Sequence, residues 1–230
     1  ENKAAIDHRQ EAIRELSTDL EYRQQIRLLG LLYKGKPADT TEIKEWATSP
    51  SYYRKRTLLR ILPIAVTVIN FLCISLAISG IISANIAGGV FVCFVLFSTI
   101  FSKGITKLQT TYGEKLQILS TYADQILLTE QKEMHSHILQ ELKADLTSQN
   151  QTASQAVRQL SKLMNALDQR SNLLMSTILN GLIFWELRQV MRIEKWKEIH
   201  ASDLPRWIET IGEIDAYCSL ATFAYNHPDY

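Results

Sequence analysis

The sequence predicts an all-α chain, a long helical bundle carrying an apolar helical hairpin. Three observations predict it. From Ile61 to Ser102 there is no Asp, Glu, Lys, Arg or His. A bilayer core takes ~20 apolar residues as a helix, so this run has room for two such helices and a turn of small residues. Outside it the chain is polar and rich in Gln, Glu, Lys and Leu, with apolar residues at helical spacing. Within that remainder Ala153, Val157, Leu160, Met164, Leu167, Ser171 and Leu174 alternate spacings of four and three, a heptad seam.

At 230 residues the chain is long enough for one or two domains. A formal net charge of +1 implies no polyanion partner by charge alone. Cys73 and Cys93 fall in the apolar run and Cys218 lies near the end, with no CxxC or Cys/His spacing. Such cysteines read as packing residues of a reducing compartment. The chain starts on Glu1 inside a helical pattern and stops at Tyr230 without a closing element, so it reads as a piece of a longer protein. The apolar run starts too late for a signal peptide.

Residues 1–33 read as one helix. Ile6, Ile13, Leu16 and Leu20, extended by Ile26 and Leu29, form its apolar face; Arg9, Glu11, Arg14 and Glu15 lie opposite. Gly30 and Gly35-Lys36-Pro37 end it. Asp39, Thr40 and Thr41 are candidate caps for a short helix, 42–47, that carries Trp46. Tyr52 and Tyr53, then Arg54, Lys55, Arg56 and Arg60, precede the apolar run, a composition suited to a membrane–water boundary. The two apolar helices are expected at 58–81, with Pro63 in the first turn, and 85–101. Four basic residues before the run and Lys103 and Lys107 after it place both ends on the cytoplasmic side.

A helix over 106–134 follows, with Leu116, Leu119, Ala123, Ile126 and Leu127 on one stripe. His135 and His137 lack a third nearby ligand and read as structural or solvent-facing. Residues 136–148 form a shorter helix with Ile138, Leu139, Leu142 and Leu146. The heptad seam is either packing within the chain or a dimer seam. Its helix is expected to run on through Asn180-Gly181 to Trp196 and Ile199. Ser202 or Asp203 caps the last helix, with Pro205 in its first turn, and Asn226-His227-Pro228 stops it. Trp185, Trp196 and Trp207 read as core anchors.

No phosphate-binding GxxxxGK[ST] loop, GxGxxG, HExxH or GxSxG occurs. Glu186 and Glu194, and Glu209, Glu213 and Asp215, lie amid Arg and Lys at spacings of ordinary solvated pairs, with Asp215 set in an apolar run where it could cap or bond across an interface. Nothing marks a catalytic, cofactor-binding or metal-binding residue. The cations Arg158, Lys162, Arg170, Arg188, Arg192, Lys195 and Lys197 are dispersed, and none is assigned to DNA.

Two segments resemble a known family. Asp7-His8-Arg9-Gln10-Glu11-Ala12-Ile13-Arg14-Glu15-Leu16 resembles the RQ-x-A-[IV]-x-E-L helix in the core of MutS-family DNA mismatch repair proteins. Ile211-Gly212-Glu213-Ile214-Asp215-Ala216-Tyr217-Cys218-Ser219-Leu220-Ala221 resembles the helix that ends that core and leads to the ATPase domain. Phe223 to Pro228 is similar to the link before the first ATPase strand. Arg170-Ser171-Asn172, Asn180 and the Trp196 helix look like a membrane-anchored bacterial subfamily. The family's mismatch-reading domain is not recognisable in this chain.

The resemblance implies the core lever of a DNA-repair-type ATPase, a helical element that couples nucleotide state to a DNA- or membrane-facing region. Residues 1–57 are then the first part of the core, 58–104 the hairpin, and 105–230 the long helices ending at the connector. ATP and Mg belong to the full-length protein, which dimerises through an ATPase domain; DNA is a partner through its backbone only. The expected location is the bacterial inner membrane with the helical domains cytoplasmic, the alternative being cytoplasmic altogether. Two other readings stand beside this one: a membrane-anchored coiled-coil scaffold or signalling protein with no DNA role, and a soluble helical DNA-binding module with the hairpin buried.

Overall fold

The computed structural model describes residues 3–32, 40–117, 119–147, 152–168 and 173–229. Among them every regular element is a helix, with a single isolated bridge between Thr147 and Thr152. The chain divides into two compact units. The first comprises Glu1–Ala47, Gln117–Ser161 and His200–Tyr230; the second comprises Thr48–Leu116 and Lys162–Ile199.

In the first unit, α1 (Lys3–Thr18) and α11 (Leu204–Asn226) form the most extensive helix pair. Around them pack α2 (Leu20–Leu32), α6 (Leu119–Gln131) and α7 (His137–Asp145). The expected single helix over 1–33 is broken at Asp19. There the Asp19 carboxylate accepts the Tyr22 backbone N–H at 3.0 Å, capping α2 as Asp at an N-cap does. The break rotates the apolar face. Ala12 and Leu16 are buried in α1, and Tyr22, Arg23 and Ile26 in α2, while Ile6 and Leu20 are exposed. Arg23 joins α2 to the far end of α11 through a 2.9 Å bond to Thr222 Oγ1 and a stack over the Tyr225 ring. Its Nε is buried without a partner.

The stripe Leu119, Ala123 and Ile126 is buried, as are Leu139, Leu142 and Leu146 of the next element. A short α3 (Thr40–Thr48) buries Ile43, Trp46 and Ala47. The heptad seam lies on α8 (Ala153–Asp168), where Ala153, Val157, Leu160, Met164 and Leu167 are all buried within the chain. It is internal packing. Leu174, its last expected member, is 79 % exposed on a separate helix.

The second unit is built on α4 (Thr57–Ile78) and α5 (Ala84–Gln117). Pro63 is the seventh residue of α4, not a first-turn residue, so the Leu59 carbonyl loses its usual intrahelical donor. The expected gap after Phe101 is absent: α5 runs unbroken through Lys103 and Gly104. One glycine does not end a helix, and here a Cβ at Gly104 would collide with the Tyr53 hydroxyl. The unit is completed by α9 (Leu173–Ile183) and α10 (Trp185–His200). These were expected as one helix. They are separated at Phe184, which takes a left-handed φ of 49°. Asp39, Arg170 and Ser171 lie outside the described residues, and so do the side chains of Lys103, Lys107 and Leu116.

Candidate functional site

The site is the hairpin and the elements that hold its base. A helix satisfies its own backbone groups, which is what hydrocarbon demands. Both arms are long and apolar enough to cross a membrane, over Thr57–Ile78 and Ala84–Ser102. Only 17 % of the first apolar window and 0 % of the second is buried inside the molecule. Helices of a soluble core would show the reverse, so the hairpin is not a buried core element. The turn closes α4 with Gly80 at φ +74°, while the Ile81 N–H reaches back to the Leu76 carbonyl at 3.0 Å. This is a glycine-terminated helix end, and only glycine takes that φ without strain.

Residue by residue, α9 and α10 hold the hairpin. Asn70, buried in the middle of α4, donates from Nδ2 to the carbonyls of Gly181 at 2.9 Å and Leu182 at 3.2 Å. An amide this deep in an apolar helix acts as glue between helices. Gly181 has no side chain because Phe91 and Val95 of α5 occupy the space a Cβ would take. Phe184 packs edge-on to Phe94 and Phe101 and stacks on Phe97, with centroids 6.0–6.3 Å apart. The left-handed backbone at Phe184 turns the chain there. Asn180 Oδ1 then accepts the Glu186 N–H at 3.0 Å and restarts the helix. Asn85 lies exposed at the start of α5, beside the turn.

At the base, Glu194 accepts three successive backbone N–H groups, those of Tyr52, Tyr53 and Arg54, at 2.8, 3.0 and 2.6 Å. Glu194 is 6 % exposed. It pins the turn that launches α4. Arg54 also pairs with Glu198 at 2.5 Å, and Arg56 covers the Tyr52 ring. Lys197 is buried and donates to Ser49 Oγ at 2.5 Å; burial pushes its pKa down, and the nearby Glu194 only partly offsets this. On the next turns Arg188 donates to the Ile183 and Pro63 carbonyls and to Thr67 Oγ1, at 2.7–2.9 Å.

Several expectations change here. Glu186 and Glu194 are not solvated surface acids but buried acceptors; Glu186 also takes the Ser176 hydroxyl at 2.9 Å. Their Lys and Arg neighbours in sequence disguised this, since a carboxylate serving backbone amides leaves no spacing pattern. Trp196 and Trp207 are buried anchors, whereas Trp185 is half-buried and lines a cleft with Arg188 and Arg192. Among the dispersed cations, Arg158 pairs with Asp124 at 2.7 Å. Arg188, Arg192 and Lys195 converge with Arg54 and Arg60.

In the first unit the two motif-bearing segments lie on α1 and α11, which pack together. Glu15 of the first motif accepts the His135 and Ser136 N–H groups at 2.9 and 2.6 Å. Burial opposes its ionisation, but these donors outweigh that and hold its pKa below the ordinary value. His137 lies beside His8, ring centroids 5.2 Å apart. No group of three metal-ligating side chains occurs among the described residues. Asp215 is exposed on α11. Burial, with Asp215 adding to it, raises the Cys218 thiol to about 12; so protonated a thiol is a packing group.

Comparison with known proteins finds no matching family model, curated protein or solved structure.

Proposed function

We propose that the chain is the helical lever of a MutS-like ATPase, tethered by its hairpin to the bacterial inner membrane with the other helices cytoplasmic. The observation that supports this most is the pairing of α1 with α11. The two segments that resemble the family stand at opposite ends of the sequence, and they fold side by side. An element placed this way can carry motion. A displacement imposed on α11 by a following domain reaches α1, α2, α6 and α7, all of which α11 touches. The topology rests on Arg54, Lys55, Arg56 and Arg60 ahead of α4, under the positive-inside rule.

The competing readings lose their footing on particular residues. A scaffold that self-associates through the heptad seam needs a free seam, and Ala153 to Leu167 are buried in the chain's own packing. A soluble DNA-binding module needs a buried hairpin, and most of its apolar surface is exposed.

The proposal requires a nucleotide-binding domain after α11 in the full-length protein, which would bind ATP and Mg²⁺ and dimerise. DNA, if engaged, would be held through its phosphates, with affinity falling steeply as salt rises. The test is to read the coding sequence past Tyr230 and assay the full-length product. A GxxxxGK[ST] loop, ATP hydrolysis and sedimentation with membranes are the expected results. Absence of the loop defeats the ATPase reading; recovery in the soluble fraction without detergent defeats the anchor.

A further inference from the structure

A cleft of about 450 Å³ opens between the start of α4 and one face of α10, within the ~300–1,000 Å³ range of ligand-sized sites. Trp185, Arg188, Arg192 and Lys195 follow one another at spacings of three, four and three, so they share a helix face. Arg60, Pro63 and Ile64 face them from α4. Among the described residues five cations line the cleft and no carboxylate does. Of these five, Arg54 is neutralised by Glu198. Arg188 bonds only to carbonyls and a hydroxyl, which leave its charge in place. Arg60, Arg192 and Lys195 have no ion-pair partner among the described residues. Glu194, also on α10, directs its carboxylate to the amides of 52–54 and forms no ion pair with a cleft cation among the described residues. On the cleft wall Gln189 is buried, and its Oε1 lacks a partner.

The remaining wall is apolar. Pro63, Ile64 and Ile183 continue into the exposed face of α4, where Ile61 and Val68 also lie open. A ligand that suits both parts presents a phosphate joined to hydrocarbon. We propose that this cleft binds an anionic phospholipid, with Arg60, Arg188, Arg192 and Lys195 on the headgroup phosphate and Ile64 and Ile183 against the adjoining acyl chain. The inference rests on the hairpin crossing a membrane. That places residues 60–64, where charge gives way to apolar sequence, at headgroup level. Basic pockets beside membrane helices on the cytoplasmic side hold anionic headgroups in this way, and a tryptophan at the same level suits the interface.

The chain itself supplies a reporter. Trp46, Trp196 and Trp207 are buried, and Trp185 alone among the tryptophans lines the cleft. The full chain is reconstituted into phosphatidylcholine nanodiscs containing equal mole fractions of either brominated phosphatidylglycerol or brominated phosphatidylcholine. Tryptophan quenching is then compared. A several-fold stronger quenching by the brominated phosphatidylglycerol is expected, lost in Trp185→Phe and equalised in the double variant Arg192→Gln/Lys195→Gln. Arg192 and Lys195 are exposed, so this variant keeps the fold. Equal quenching by the two lipids in the wild-type chain overturns the proposal. So does relief of quenching by inorganic phosphate, which would make the site one for free phosphate. Binding of duplex DNA to the nanodisc-held chain that the double variant abolishes reassigns the cleft to nucleic acid. Failure to enter phosphatidylcholine nanodiscs at all is a separate result, which defeats the membrane anchor itself.

Discussion

Replacing Glu194 should loosen the base of the hairpin more than any other single change in α10. In Glu194→Ala the N–H groups of Tyr52, Tyr53 and Arg54 lose their shared acceptor. The Tyr53 bond is buried and the other two are part-buried. An orphaned buried donor costs ~1–3 kcal/mol. Taking about 2 kcal/mol for Tyr53 and about 1 kcal/mol for each of the others, which water can reach, gives about 4 kcal/mol. Relief of the carboxylate's own desolvation returns part of this, leaving about 3 kcal/mol. Glu194→Gln keeps one oxygen and should lose roughly half as much. The assay is equilibrium unfolding in mixed micelles followed by tryptophan emission, since Trp196 is buried on the same helix. Hydrogen exchange at residues 52–54 gives the local readout and should quicken on the order of a hundredfold. A loss below ~0.5 kcal/mol in Glu194→Ala, with exchange unchanged, would refute the reasoning, because that is the range of an ordinary surface substitution.

Three further outcomes are expected. Asn70→Leu removes the bonds to Gly181 and Leu182 and should cost about 1–2 kcal/mol, measured as weakened resistance to unfolding by detergent; an unchanged midpoint would deny Asn70 its role. Gly181→Val drives a side chain into Phe91 and Val95, and should lose about 1–3 kcal/mol by overpacking, whereas a stability equal to wild type would show that these helices do not approach closely. Acid should destabilise the first unit through Glu15. Its folded pKa is below the ordinary 4.5, so its contribution is whole above that value and disappears as pH falls through the lower folded one; Glu15→Gln should therefore flatten the acid limb of the stability–pH curve, and an unaltered limb would exclude Glu15.

The elements that could be read from sequence share a physical cause. Period and charge are local properties, so the uncharged run, the buried seam from Ala153 to Leu167 and the last helix beginning beside Pro205 were all legible. What could not be read depends on partners far away in the chain. Asp19 breaks the first helix by capping a turn whose alternative, continued helix, has the same apolar period. Phe184 breaks the α9–α10 run without glycine or proline, because Phe94, Phe97 and Phe101 fix its position and Asn180 recaps the chain. The joining of two expected helices into α5 has a similar origin. The end of the apolar run set the expected boundary at Phe101, yet the helix continues past it, where Gly104 fits against Tyr53.

The same division runs through the candidate site. The hairpin, its basic approach and its lack of internal charge are matters of composition, and composition is enough because length and polarity are local properties of the run. The grip on that hairpin is different. Asn70 meets the Gly181 carbonyl across 111 positions, and Glu194 meets the amide of Tyr53 across 141. Hydrogen bonds are short and directional, so only the folded chain decides which buried polar groups meet. The sequence by itself determined that there is an apolar hairpin and where its charges stop. Tertiary structure alone decided that Arg60 would face Arg188, Arg192 and Lys195, making one cleft out of cations that looked dispersed.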